Sequence, residues 1–261
     1  MILLRPTLLV AASVLVTAGA ASARPVDYVV VDPSPLRAGG GAHVIYLNRC
    51  AGGCTAQVGT DDASRNLSSI LGRDNTPAEI ALPPFAWDQP VWDGLVACVR
   101  DAYAPWNLTV VTDEPTSGNY LEVMVAGNAA ALGLAGNTLG VAPLTSNCSP
   151  LPKAIAFTFA NAHQPGPRQI SDLCATVVHE AGHLYGLDHE YACKDPMTYL
   201  TGCGDKIFVN RTVACGEFDG PRRCKCGATQ NSFVKLTSEI GSGTAPQPPI
   251  VEILVDRKSV V

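Results

Sequence analysis

The chain has few charged residues and lacks a basic run. Charged side chains make up 16% of its 261 residues and the formal net charge is −5, whereas about a quarter of the residues in a typical globular domain are charged. No stretch is rich in lysine and arginine. Because nucleic acids bind to clustered positive charge, this composition argues against a nucleic-acid partner.

Long apolar runs are also missing beyond the first residues. The N-terminal segment combines an apolar run between Leu8 and Val16 with the small residues Ala21-Ser22-Ala23. A membrane anchor is the alternative, but the run is short for a span and no cationic stop follows it. The pattern therefore predicts a signal peptide over residues 1–23 and a secreted, extracellular mature chain, periplasmic if the cell is Gram-negative, with no membrane partner.

Histidine is rare, yet three of the five histidines fall within the stretch HEAGHLYGLDH. On a helix, His179 and His183 lie roughly 40° apart on one face, so both imidazoles can bind one metal ion. Gly186 can adopt the left-handed conformation that ends a helix and lets the chain return His189 to the same metal. This spacing predicts that His179, His183 and His189 are zinc ligands.

Three imidazoles leave the fourth position of a tetrahedral zinc ion open for a water molecule. That water has its pKa lowered toward neutrality and becomes a nucleophile. Glu180 is not needed as a ligand and can serve as the general base. Scattered structural histidines are the alternative, although the whole pattern seldom arises by chance. Ser171 is expected to cap the start of the helix that carries the motif, and Asp172 to be an acidic residue of its first turn.

A methionine and a tyrosine follow the motif at short distance. Met197 lies eight residues after His189, and Tyr199 lies two residues further on. The arrangement resembles the metzincin clan of zinc metallopeptidases, in which HExxHxxGxxH precedes a turn with a methionine beneath the zinc. The resemblance implies that the three histidines bind one Zn²⁺, that Glu180 is the catalytic base and that Met197 belongs to this turn.

Features of different metzincin families are mixed in this chain. Glu190, directly after the third histidine, is similar to the astacins, whereas the short distance from His189 to Met197 is similar to the matrixins. Tyr199 resembles the tyrosine that astacins and serralysins place near the metal, where it can stabilise an oxyanion. A tyrosine that only packs under the turn is the alternative. The resemblance implies an outlying member of the clan and covers residues 171–200.

Cysteine is abundant, with ten residues in a chain that is predicted to be exported. An even number in an oxidising compartment predicts five disulfides. Cys50 with Cys54 and Cys193 with Cys203 would form local loops. A structural zinc site at the last three cysteines is the alternative. These cysteines are Cys215, Cys224 and Cys226.

Apolar periodicity predicts alternating strands and helices ahead of the motif. A helix is expected over residues 91–103, and strands over residues 43–47, 108–112, 120–126 and 154–159. This order is similar to the upper lobe of a metzincin. We therefore expect an α+β fold in which a twisted mixed sheet and two main helices form an upper lobe, with a small irregular disulfide-rich lower lobe after Gly186. The catalytic domain would span residues 24–240, followed by a flexible tail over residues 241–261.

Two further segments carry functional expectations. The segment between Thr138 and Leu144 is apolar and bracketed by glycine, proline and asparagine, which suits an edge strand. The resemblance implies that it pairs with an extended substrate, and an irregular loop is the alternative. Residues 50–90 favour a disulfide-pinned excursion in which Asp61 and Asp62 could bind calcium, with a solvated loop as the alternative.

The sequence thus predicts a secreted zinc endopeptidase that acts on a protein or peptide. Another zinc amide hydrolase, such as a toxin-like selective peptidase, is one alternative. A non-catalytic disulfide-rich adhesion module that only binds metal is another. The sequence gives no indication of the oligomeric state.

Overall fold

The computed structural model describes residues 27–33, 41–73 and 76–243. Within these ranges the chain forms three α-helices and eleven strands. The helices are α1 (Gln89–Tyr103), α2 (Gln169–Leu184) and α3 (Ser232–Ile240). The strands are β1 (Asp27–Val31), β2 (Val44–Asn48), β3 (Cys54–Val58), β4 (Leu67–Ser68), β5 (Glu79–Leu82), β6 (Thr109–Val111), β7 (Leu121–Val125), β8 (Gly140–Thr145), β9 (Ile155–Thr158), β10 (Cys215–Glu217) and β11 (Gly220–Arg222).

The main sheet has six strands in the order β1-β8-β9-β7-β2-β6. The strands from β9 to β6 pair in parallel. β8 runs antiparallel to β9, and β1 pairs in parallel with β8. The sheet is therefore mixed, and together with the three helices it confirms the expected α+β class.

Both faces of the main sheet are buried, which explains why four of the five residues of the central strand β7 are apolar. In β7, Leu121 and Val123 belong to the core between the sheet and the helices, whereas Met124 belongs to a second core on the opposite face. All five residues of β7 are buried. Strands covered on both sides lose the alternation of apolar and polar residues.

A small second sheet covers the face opposite the helices. β3 pairs with β4 and antiparallel with β5, and Ala56 and Ile80 from this sheet contribute to the second core. These strands lie within residues 50–90, the predicted disulfide-pinned excursion. The Cys50–Cys54 disulfide closes the turn before β3, as expected.

The two main helices were predicted from their apolar spacing, and both are present. Asp88 caps α1 by accepting a hydrogen bond from the backbone N–H of Val91. The expected cap of α2 at Ser171 was wrong, because the helix begins at Gln169 and Ser171 lies inside it. Asp172 is an acidic residue of the first turn, as expected. The Ser171 hydroxyl donates to the carbonyl of Arg168, so it satisfies an acceptor rather than the amides at the start of the helix.

The expectation of an edge strand between Thr138 and Leu144 was also wrong. β8 occupies this part of the chain, but β1 pairs along its outer side, from Asp27 opposite Val141 to Val31 opposite Thr145. β8 is therefore an inner strand, and all six of its residues are buried. A strand contributed from more than one hundred residues upstream leaves no signal in the local sequence.

All ten cysteines form disulfides, so five bridges are present as predicted. Cys50–Cys54 and Cys193–Cys203 confirm the two expected local loops. The other bridges are Cys98–Cys174, Cys148–Cys226 and Cys215–Cys224. Cys215, Cys224 and Cys226 are thus disulfide-bonded, which leaves no thiolates for the alternative structural zinc site.

The predicted signal peptide, residues 1–23, lies outside the described residues, as do residues 244–261 of the predicted tail. In the part of the chain that is described, no helix has the length and apolar character needed to cross a bilayer. After Gly186 the described chain contains only the β10–β11 hairpin and α3 as regular elements. α3 was not predicted, and it packs into the core beneath the main sheet through Phe233, Leu236 and Ile240.

Candidate metal centre

α2 and the segment that follows it bring the three histidines of the motif together. His179 and His183 lie one turn apart on α2, and the helix ends at Leu184. Gly186 then adopts a φ of 81°, the left-handed conformation that glycine takes without steric cost. The chain turns back and places His189 in the same cluster. The ligand atoms of the three histidines all lie within 4.8 Å of one another.

Each imidazole is oriented by an acceptor at Nδ1. His179 Nδ1 lies 2.8 Å from the carbonyl oxygen of Pro196, and His183 Nδ1 lies 2.7 Å from that of Leu187. His189 Nδ1 lies 2.9 Å from a carboxylate oxygen of Glu217. Carbonyl and ionised carboxylate oxygens only accept hydrogen bonds, so each Nδ1 carries the proton and each Nε2 presents a lone pair.

These lone pairs fit a metal ion. The Nε2 atoms of His183 and His189 lie 3.2 Å apart, and the buried Nε2 of His179 has no hydrogen-bond partner among the described residues. Burial lowers the pKa of His179 to about 3 and that of His183 well below its usual value, so both rings are neutral and free to ligate at neutral pH. A cation between the three nitrogens would satisfy all of them, and this buried group could therefore bind a metal ion.

Glu180 lies beside the histidines on α2 and is fully buried. Its carboxylate lies against the backbone of β8 at Gly140, where a Cβ atom would overlap Glu180 Oε1. The absence of a side chain at Gly140 thus creates the space that the carboxylate occupies. Sequence reasoning singled out Glu180 but not Gly140, because only the fold brings β8 next to α2.

Met197 lies beneath the motif helix, where it is fully buried. A Cβ atom at Gly182 would overlap its sulfur, so the glycine allows the thioether to approach the helix backbone. The carbonyl of Met197 accepts a hydrogen bond of 2.7 Å from the N–H of Glu190. The structure therefore places Met197 in a turn that packs against the motif helix at Gly182, and the Cys193–Cys203 bridge lies in the same segment.

Tyr199 lies against the metal-binding cluster. Its ring is stacked on His179 with a centroid distance of 5.9 Å, and its centroid is 4.2 Å from that of His189. Tyr199 and His179 also line a cavity of about 880 Å³ beside the histidines. This cavity is lined among others by Leu139, His163, Thr176, Leu200 and Phe218. It is a concave space within the usual size range of ligand pockets.

Three charged residues that the sequence did not single out surround His189. Arg222 on β11 forms ion pairs with Asp188 and with Glu217 on β10. The hydrogen bond from His189 and the pairing with Arg222 lower the pKa of Glu217 to about 2. Burial alone would raise the pKa of Asp188, but hydrogen bonds from Arg222, Lys225 and His189 hold it below its usual value. Asp188 lies inside the motif, whereas Glu217 and Arg222 have no characteristic spacing that would identify them in the sequence.

Tyr28 on β1 was also missed by sequence reasoning. Its ring centroid lies 5.0 Å from that of His183 and 4.8 Å from that of His189. Its hydroxyl donates a hydrogen bond of 3.1 Å to Asp188. The strand that covers β8 thus also contacts two of the three candidate ligands.

Two acidic residues noted in the sequence, Glu190 and Asp61, accept hydrogen bonds from neighbouring residues of the protein. Glu190 is buried and accepts a hydrogen bond from Gln230, and burial together with the nearby carboxylate of Asp195 raises its pKa. Asp61 accepts hydrogen bonds from the hydroxyl and N–H of Ser69. Among the described residues, no group arranged to hold a metal includes Asp61 or Asp62, so the calcium expectation gains no support.

Comparison with known proteins gave no family assignment. No protein-family model matches the chain, and a search of the curated proteins found no match. The likeness to metzincins therefore stands on the residues of the motif and on their geometry.

Proposed function

We propose that this protein is a zinc-dependent endopeptidase of the metzincin type. The observation that carries the proposal is the convergence of three buried imidazoles in the segment that also carries the buried Glu180. Imidazole nitrogens suit several transition metals, of which zinc is the usual partner of three histidines and one open position. A site that only binds metal has no need of a carboxylate placed beside the open position.

Each residue of the site has a separate role in the proposed peptide hydrolysis. Zinc held by His179, His183 and His189 would polarise the scissile carbonyl and lower the pKa of a water molecule. Glu180 accepts the proton of the attacking water and delivers it to the leaving amine, so no covalent intermediate with the protein is needed. Tyr199, stacked on His179, donates a hydrogen bond to the developing oxyanion.

The cavity beside His179 supports a peptide substrate. Its volume of about 880 Å³ and the side chains of Leu139, Leu200 and Phe218 suit an apolar or aromatic side chain near the scissile bond. His163 on the same wall is neutral at neutral pH because burial lowers its pKa to about 4. The proposed preference for an apolar side chain therefore rests on the apolar part of the wall, next to which charged side chains also line the cavity.

The path of the substrate backbone that the resemblance implied, along β8, is covered by a neighbouring strand. β1 covers the outer side of β8, so an extended peptide pairs with β8 only after displacing β1. The open cavity on the side of His179 offers the other approach. Secretion stays part of the proposal, and the five disulfides support it because such bridges form in oxidising compartments.

A peptide library tests the proposal. The purified protein, loaded with zinc, is incubated with a diverse mixture of peptides, with and without a metal chelator, and the products are sequenced. We expect internal cleavage that the chelator abolishes and that added zinc restores. Cleavage that survives the chelator, or none with zinc fully loaded, contradicts the proposed mechanism.

A further inference from the structure

A compact charged cluster borders the candidate metal centre on the side of His189. Arg222 Nη1 lies 2.7 Å from Asp188 Oδ2, and its Nη2 lies 2.8 Å from Asp188 Oδ1. Its Nε lies 3.0 Å from Glu217 Oε2. One guanidinium therefore binds two carboxylates at once, which the planar fork of arginine allows and a lysine ammonium does not.

This cluster is a salt-bridge network rather than a second metal site. Asp188, His189 and Glu217 lie close enough to hold a cation, but the guanidinium of Arg222 already binds both carboxylates. Asp188 is fully buried and also accepts hydrogen bonds from the backbone N–H groups of His189 and Lys225. Its acceptor sites are thus used by protein donors.

The orientation of the His189 ring depends on this cluster, whereas the orientation of the other two histidine rings does not. His179 and His183 are fixed by α2 and donate to the backbone carbonyls of Pro196 and Leu187. His189 lies beyond the end of the helix, and its Nδ1 donates to a side chain, Glu217. The carboxylate of Glu217 is the acceptor at Nδ1 that sets which nitrogen faces the metal.

The β10–β11 hairpin holds the acceptor in place. Glu217 is the last residue of β10 and Arg222 the last of β11, and the two strands pair antiparallel. The Cys215–Cys224 disulfide closes the hairpin. The N–H of Gly216, beside Glu217, also donates a hydrogen bond of 3.0 Å to the carbonyl of His189. Backbone and side chain thus dock this hairpin onto the third ligand.

We propose that Glu217, held by Arg222, is a positioning residue that orients His189 and sets the metal affinity of the three-histidine site. The carboxylate fixes the proton on Nδ1, directs Nε2 toward the metal and increases the basicity of the ring. The proposal requires a metal at the three histidines but does not require that the protein hydrolyses peptides.

The test measures zinc affinity of the full chain by competition with a chromophoric chelator. Loss of a group that orients a metal-ligating histidine typically weakens metal binding by about 10- to 100-fold. We expect that weakening for Glu217→Ala and a smaller one for Glu217→Gln, which keeps a neutral acceptor. Arg222→Lys should also weaken binding, because lysine cannot hold both carboxylates.

Glu239→Ala is the matched control. Glu239 is similarly shielded, with 20% of its side chain exposed against 32% for Glu217, and it pairs with Lys235. The visible spectrum of the Co²⁺-loaded protein reports the geometry at the ligands, and should change in Glu217→Ala but not in Glu239→Ala. The thermal midpoint of the metal-free variants separates a positioning role from a loss of fold.

The proposal is overturned if Glu217→Ala and Glu217→Gln both bind zinc within about twofold of the parent, as Glu239→Ala should. It is also overturned if their affinity falls only in proportion to a lowered midpoint of the metal-free protein. A protein that shows the predicted dependence on Glu217 but cleaves no peptide contradicts the proposed function and leaves this inference standing. Different results would therefore contradict the proposed function and the positioning role of Glu217.

Discussion

At the scale of single residues, His163 shows how burial sets protonation. It is 6% exposed, its Nε2 has no hydrogen-bond partner among the described residues, and burial lowers its pKa to about 4 from an ordinary value of 6.5. Between these two values the unfolded chain binds a proton at this residue and the folded chain does not. Acidification through this window therefore favours the unfolded state.

We predict that replacing His163 by glutamine makes the protein less sensitive to acid. On lowering the pH from 7.5 to 5.0, the parent should lose about 2 kcal/mol more of its free energy of unfolding than His163→Gln. Urea denaturation at both pH values measures this difference. An equal loss in both proteins would show that His163 titrates normally in the fold. The three histidines of the metal centre are present in both proteins and cancel in the comparison.

Much of the candidate site could be predicted from residue types and their spacing in the sequence. The three histidines, Glu180 and Met197 could be singled out from one stretch of sequence, because a helix and one glycine turn place them together. The partners of their Nδ1 atoms could not. Glu217 lies 28 residues after His189 and contacts it only through the docked hairpin, and a single acidic residue at that distance has no distinguishing pattern.

At the scale of elements, local patterns predicted five of the six strands of the main sheet and both long helices, whereas pairing across the sheet was not predictable. α1 has its apolar residues at helical spacing, and β7 and β9 are apolar runs between turn residues. β8 was correctly read as extended, but its neighbour β1 comes from more than one hundred residues upstream. The two-residue strand β4 and the three-residue strands of the hairpin are too short for period-two alternation to be detected.

The position of β1 makes a prediction for the proposed activity. Tyr28 fastens β1 over β8 through its contacts with His183 and His189 and its hydrogen bond to Asp188. A hydrogen bond to a charged group contributes about 1.5 to 3 kcal/mol. Tyr28→Ala should therefore loosen β1 and raise kcat/KM for a long peptide by about fivefold or more.

Val30→Ala is the control for that variant. Val30 lies on the same strand but is 42% exposed, so its truncation should leave kcat/KM close to that of the parent. An unchanged or lowered kcat/KM in Tyr28→Ala would mean that the peptide does not approach along β8.

At the scale of the whole molecule, disulfides join distant parts of the chain to the elements that carry the candidate metal centre. Cys98 on α1 is bridged to Cys174 on α2 across a separation of 76 residues. Cys148–Cys226 joins the loop after β8 to the segment after β11 across 78 residues. Only the local bridges could be proposed from sequence, because pairings across such distances depend on the fold.

We predict that removing the bridge between α1 and α2 destabilises the protein as a whole. The Cys98→Ser and Cys174→Ser double variant should lose about 2 to 5 kcal/mol of its free energy of unfolding, since a long loop in the unfolded chain is released. Denaturant unfolding measures the loss. A change below about 0.5 kcal/mol would show that packing between α1 and α2 alone fixes their arrangement.

In the proposed reaction, a metal at the three histidines and the carboxylate of Glu180 act together in hydrolysis. Glu180→Gln tests it most directly, because the amide keeps the shape of the side chain but cannot serve as the base. The measurement compares zinc content and single-turnover cleavage of one identified peptide by the parent and the variant. We predict equal zinc content and a rate at least about 100-fold lower in the variant. Equal rates at equal zinc content would contradict the account.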